Sequence, residues 1–252
     1  MKKIKIPNSK GEHISAVVHY PKTKTDKLAI LCPGYLDSKD YAHLVELAKM
    51  LPTKGYTSVR FDPTGTWESD GDISEYKNTQ YLEDIKSVLD FMLTQHEYKD
   101  ILLGGHSRGG QLSILYAARD PRITTVLGIM PSSGPAPTGP MRDAWKKTGV
   151  SISQRDLPDD KSKKREFHVP YSHAQDRDQY NVVKDVKKVT APLIFIVGEL
   201  DTIVPPEDVK EIFSNAHEPK KFILIPGIGH DYRHHNSEIE KVNNHILAAL
   251  PK

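Results

Sequence analysis

Ile101-Leu102-Leu103-Gly104-Gly105-His106-Ser107-Arg108-Gly109-Gly110-Gln111-Leu112 is the stretch from which the fold follows. An apolar strand, Ile101 to Leu103, runs into Gly-His-Ser-Arg-Gly, and Leu112, Leu115, Tyr116 and Ala117 continue at helical spacing. Strand, tight turn and helix in that order put a serine at the apex of the turn. Side chains at Gly105 and Gly109 would collide with the neighbouring strand and helix, so only glycine fits two residues either side of Ser107. The helix that follows points its unpaired N–H groups and its positive end at the hydroxyl. Ser107 is therefore the candidate nucleophile. A phosphate-binding loop is excluded, because Gly110-Gln111 stand where lysine followed by serine or threonine is required.

Working outward, short β-rich apolar runs alternate with segments of helical period. Leu28 to Cys32, Thr57 to Phe61, Ile101 to Leu103, Val126 to Met130, Leu193 to Val197 and Phe222 to Ile225 read as strands, and His13 to Tyr20 as an antiparallel start. Tyr41 to Lys54, residues 78 to 96 and Asn236 to Leu250 read as helices. This alternation predicts an α/β fold, a mostly parallel central sheet with helices on both faces. From about Pro135 to Val189 the rhythm breaks into a polar stretch rich in Pro, Lys, Arg and Asp. It is expected to be an insertion, as a lid or as a solvated loop with one or two short helices. The whole of 1–252 is otherwise expected to be a single domain.

A serine hydroxyl needs a neighbouring base. Of the twelve histidines, His230 follows the run Phe222 to Ile225 through Pro226-Gly227-Ile228-Gly229, at the carboxyl end of a strand, where open α/β sheets assemble their sites. A carboxylate must then hold the imidazole. Asp201 sits just past the run Leu193 to Val197, with Glu199 as its local rival; Asp176, Asp178 and Asp185 lie in the insertion and are expected to be solvated. The order Ser107, Asp201, His230 is that of an α/β-hydrolase triad.

Bulk numbers narrow the function further. With 35 basic and 33 acidic residues the net charge is +2, which gives no general drive toward nucleic acid or anionic membrane. No stretch approaches the ~20 apolar residues of a membrane span. One cysteine, Cys32, excludes a disulfide framework and reads as a packed small hydrophobe; it suits a reducing, cytoplasmic setting. His230, His234 and His235 lack the spacing of a metalloprotease site, so no metal is expected.

Gly-His-Ser-Arg-Gly-Gly, Gly-Glu-Leu-Asp-Thr-Ile-Val-Pro, Gly-Ile-Gly-His and the upstream Leu-Cys-Pro-Gly-Tyr together resemble the α/β-hydrolase superfamily, over nearly the whole chain. Among its branches the chain is similar to the esterases, acylglycerol lipases and serine peptidases with a short lid. The resemblance implies an oxyanion hole from the backbone N–H groups of Arg108 and Tyr35, with Gly34 letting the substrate oxygen approach. It implies a carboxylic ester hydrolase acting through an acyl-enzyme, with a small-molecule acyl ester as substrate and no cofactor. A peptidase or thioesterase would use the same residues, and a non-catalytic binding module is the reading from another class. The Arg108 side chain is expected either to recognise a substrate carboxylate or to pair with an acid such as Asp62 or Glu68. Trp67, in the loop after the fourth strand, is a candidate to reach the lid or the pocket.

Overall fold

The computed structural model describes residues 1–134 and 138–251. Five strands are buried along almost their whole length: β3 (Lys27–Cys32), β4 (Tyr56–Phe61), β5 (Asp100–His106), β6 (Thr125–Ile129) and β9 (Leu193–Gly198). Strands covered on both faces belong in a parallel sheet, and these five pair in parallel in the order β4-β3-β5-β6-β9. Beyond β9 lies the parallel edge strand β10 (Lys220–Ile225). Antiparallel to β4 runs β2 (His13–His19), itself paired with β1 (Lys2–Pro7). Every strand expected from the sequence outside the insertion is present. β1 is additional: Lys-Lys-Ile-Lys-Ile alternates, and Ile6 turns inward, fully buried.

The period-two pleat divides each strand between two cores. Leu28, Ile30 and Cys32 join Val59, Leu103 and Phe195 beneath α2 (Asn78–Gln95), α3 (Arg108–Ala117) and α7 (Pro206–Asn215). Ala29 and Leu31 join Leu102, Leu127 and Ile194 beneath α1 (Ala42–Met50) and α8 (Asn236–Ala249). The two layers and their sheet are the mostly parallel α/β architecture that the alternation predicts, and the α/β-hydrolase fold that the motif resemblance implies.

Between β6 and β9 the chain leaves the sheet. The insertion expected from Pro135 begins with residues 135–137, which lie outside the described residues; from 138 on it is more ordered than its composition suggests. It holds α4 (Pro140–Thr148), a two-stranded hairpin of β7 (Val150–Asp156) and β8 (Lys164–Pro170), α5 (Ser172–Arg177) and α6 (Val182–Asp185). The hairpin escapes a pattern search because its apolar side rests on two buried residues, Phe167 and Val169. Contacts remote in sequence secure them. Trp145 donates its indole N–H to Val169 O at 2.9 Å, and Phe167 packs edge-on to Trp67 at 5.4 Å. Asp176 and Asp185, expected to be solvated, are each 7% exposed; Asp176 accepts from the Thr79 N–H and hydroxyl, and Asp185 from Arg119.

Cys32, at the end of β3, is fully buried. Burial pushes its thiol up to about 12, so almost no thiolate, the reactive form, exists near neutrality. The folded protein at pH 8 is expected to resist N-ethylmaleimide for hours and to react within minutes once unfolded in guanidinium. Rapid labelling of the folded chain, read by intact-mass spectrometry, would contradict this packing.

Candidate active site

Ser107 sits between β5 and α3 with φ 54° and ψ −117°, a conformation that side chains other than glycine seldom adopt. The strain is imposed by close packing of the turn on β3. A Cβ at Gly105 would lie 2.2 Å from the Cys32 carbonyl oxygen, and one at Gly109 would lie 2.1 Å from the same atom. At Gly109 all three nearest atoms are backbone, so nothing can rotate away. Gly109→Ala is therefore expected to lose ~3 kcal/mol or more, the upper end of ordinary overpacking. Urea unfolding measures it, and a loss below ~0.5 kcal/mol would mean the turn is not held this way.

His230, past the end of β10, places Nε2 2.9 Å from Ser107 Oγ, and its Nδ1 lies 2.7 Å from Asp201 Oδ2. Asp201 follows β9; its Oδ1 accepts the backbone N–H groups of Ile203 at 2.9 Å and Val204 at 2.8 Å. With one oxygen committed to the main chain, the other faces the ring, so Nδ1–H donates to Asp201 and Nε2 is left to accept from Ser107. The rival Glu199 points elsewhere: its Oε2 accepts from the Gly227 N–H at 2.9 Å. All three residues stand at the carboxyl edge of the parallel strands.

The loop after β3 lies alongside. Its main chain is held by four side chains: Tyr81 donates to Pro33 O at 2.9 Å, Tyr76 accepts from the Leu36 N–H at 2.8 Å, Trp67 donates to Leu36 O at 3.0 Å and Arg155 donates to Tyr35 O at 2.8 Å. Trp67 thus touches the insertion and this loop rather than the cavity beside Ser107. The space a Cβ at Gly34 would take is filled by the Asp37 carboxylate, 2.6 Å away. Arg108 does not pair with Asp62 or Glu68, because both acids bind Lys39, at 2.9 and 2.6 Å.

Behind His230 lies a buried imidazole cluster that no sequence motif announces. His106 packs 4.7 Å from the His230 ring, and His43 stands edge-on to His106 at 5.3 Å. Burial and the neighbouring His106 push His43 down to about 3, and burial likewise lowers His106. Burial would raise the Asp37 carboxyl, yet His106, His43, Arg155 and Arg233 around it hold it well below the usual range. Among the described residues, Asp37, His43 and His106 are the one trio with ligand-type atoms all within 4.8 Å of one another; His230, His234 and His235 form no such group. No helix among the described residues is long and apolar enough to cross a membrane.

Ser107 and His230 open onto a cavity of about 560 Å³, floored by the elbow and roofed by Met141, Trp145, Ser153 and Arg155 from the insertion. The arrangement can pass a proton from a hydroxyl to an imidazole beside a pocket of small-molecule size.

Similar proteins share this architecture. The chain is 26% identical over 221 residues to the mouse protein named palmitoyl-protein thioesterase ABHD10, mitochondrial, covering 86% of this chain and 71% of that one. Its rat counterpart is 27% identical over 179 residues, and the match spans only 59% of that protein's length. The crystal structure of the α/β hydrolase GrgF from Penicillium superposes with a TM-score of 0.81 at 20% identity, over 98% of this chain and 96% of the other; that likeness is one of fold. The family described as serine aminopeptidase, S33, matches residues 23–182. With that match over more than half its length, the chain belongs to the serine aminopeptidase S33 family of α/β-hydrolases.

Proposed function

We propose that this hydrolase cleaves carboxylic esters through an acyl-enzyme, with Ser107 as nucleophile, His230 as base and Asp201 as the residue that orients and stabilises the imidazole. The observation that carries this reading is the unbroken hydrogen-bonded line from Ser107 Oγ through His230 to Asp201, at 2.9 and 2.7 Å. His230 Nε2 takes the serine proton as Oγ bonds to the acyl carbon, and the carbonyl electron pair moves onto oxygen. The backbone N–H groups of Arg108 and Tyr35 receive that oxyanion; each such donor is worth ~100- to 1000-fold in turnover. His230 then returns the proton to the departing alkoxide. Water repeats the cycle on the acyl-enzyme, releasing the acid and restoring Ser107.

Within this scheme the chain acts as one domain, and the excursion from 138 to 189 serves as a lid whose α4 and β7 cover the acyl carbon. Thioester cleavage, the activity in the name of the mouse relative, uses the same steps and is the second reading. An aminopeptidase must hold a substrate ammonium group, which arginines in the wall oppose. A binding module that has lost catalysis would have no need to keep Ser107 strained and hydrogen-bonded to a base.

A fluorophosphonate probe tests the nucleophile directly. The native protein is expected to gain one adduct, located on Ser107 by peptide mass spectrometry, and Ser107→Ala to gain none. A native, folded protein that stays unlabelled would overturn the reading.

A further inference from the structure

The cavity beside Ser107 is walled by three guanidinium groups. Arg108 is only 2% exposed. Its Nε donates to Asn78 Oδ1 at 3.1 Å, while Nη1 and Nη2 are buried with no hydrogen-bond partner. Its Cζ lies 4.2 Å from the Tyr76 ring centroid and 5.8 Å from those of Tyr35 and Tyr81. Aromatic faces attract a cation, yet they offer no acceptor in the plane of the fork, so the terminal N–H groups remain unsatisfied. Arg155, on β7, donates one Nη2 hydrogen to Tyr35 O, and its Cζ lies 5.7 Å from the same Tyr35 ring; its buried Nε has no partner. Arg177, at the end of α5, lines the same cavity and donates to Gly134 O.

Leaving charged donors buried without acceptors is costly, which sets Arg108 and Arg155 apart from ordinary surface arginines. Asp37 offsets part of the Arg155 charge, whereas Arg108 forms no ion pair among the described residues. Asp208 and Asp231, at the cavity wall, are exposed, and Asp37 is the buried carboxylate among the lining residues, beside His106. Burial and the charge of Arg108 push Arg177 down to about 10, so the two cations oppose each other.

We propose that the substrate carries a carboxylate, gripped by the Arg108 and Arg155 guanidinium groups with Arg177 beside them, while its ester carbonyl rests on Ser107. The planar fork of arginine matches a carboxylate in two parallel hydrogen bonds, and an anion here satisfies the orphaned N–H groups and relieves the repulsion at once. The substrate class is then a half-ester of a dicarboxylic acid or an ester whose alcohol bears the carboxylate. This assignment rests on the serine-hydrolase reading for the placement of the ester, but not for the binding of the anion.

Binding is measured without turnover by isothermal titration of Ser107→Ala with monomethyl glutarate, 4-acetoxybutyrate and neutral dimethyl glutarate. At least one of the two anionic esters is expected to bind ~10-fold or more tightly than the neutral one, and the better of them tells which side of the ester bears the charge. That preference is expected to fall below ~3-fold when Arg155→Gln or Arg177→Gln is added, with folding checked by circular dichroism. It is expected to persist with Arg142→Gln, whose side chain pairs with Asp178 outside this cavity. Equal binding of all three esters, or a preference that survives both cavity substitutions, overturns the proposal. A wild-type enzyme that takes the fluorophosphonate but shows no such preference loses the anion site alone. Selective binding by Ser107→Ala together with an unlabelled wild type loses the hydrolase reading alone.

Discussion

Ser107→Ala is expected to lower kcat toward a short-chain aryl ester by ~10⁶-fold, equivalent to ~8 kcal/mol of transition-state stabilisation. The size follows from the geometry. His230 Nε2, 2.9 Å from Oγ, has no other proton to take at that point, and without Oγ no acyl-enzyme forms. His230→Ala is expected to cost about as much, and the double substitution little more than either alone, because the two side chains act as one unit. What remains belongs to the pocket and the two backbone N–H groups, ~10³- to 10⁴-fold above water. Steady-state kinetics on all three variants, with unfolding curves to show that the fold survives, checks the set. Retention of more than ~1% of activity by folded Ser107→Ala would mean that another nucleophile carries the reaction. Cys32 is no substitute for it, being fully buried with its thiol pushed up to about 12.

The three residues of this hydrogen-bonded line were legible because each lies just past the carboxyl end of an apolar run, two of them buried on both faces and the third at the sheet edge. Ser107 follows β5, Asp201 follows β9 and His230 follows β10, and parallel strands bring their carboxyl ends to one edge whatever the chain does between. The glycines at 105 and 109 were legible for a related reason, since their cause is local: the carbonyl of Cys32 lies where a side chain would be. Arg155 and Arg177 left no comparable trace. They are polar residues in a polar segment, and their place in the cavity wall depends on the register of β7 with β8 and on Phe167 docking against Trp67, a hundred residues earlier. The partner of Arg108 was illegible in the same way. Proximity in the pattern suggested Asp62 or Glu68, but Lys39, fully buried, had already taken both. Side chains that meet only through tertiary contacts carry no period of their own, so sequence pattern shows where the reaction is and hides what the pocket selects.

Asp201→Asn separates the two carboxylates that follow β9, and it is expected to cost ~10⁴-fold in kcat while Glu199→Gln costs less than ~3-fold. In the native site one oxygen of Asp201 takes the backbone N–H groups of Ile203 and Val204, and the other takes the Nδ1–H of His230 at 2.7 Å. An asparagine can satisfy only one of these demands. If its oxygen stays on the main-chain donors, its NH₂ faces Nδ1, the proton of the ring moves to Nε2, and the imidazole can no longer accept from Ser107. If the amide turns over, the oxygen serves the ring but the NH₂ is driven against two N–H donors, and the loop at Ile203 and Val204 must shift. The first outcome removes the base while leaving the pocket in place, so KM should change far less than kcat; the second keeps the tautomer but moves Ile203 and Val204, which line the cavity. Glu199 has no such bond to lose. It is exposed, and the acceptor it offers to Gly227 is retained by the glutamine carbonyl. Equal losses in the two variants, or a loss confined to Glu199→Gln, would transfer the orienting role away from Asp201.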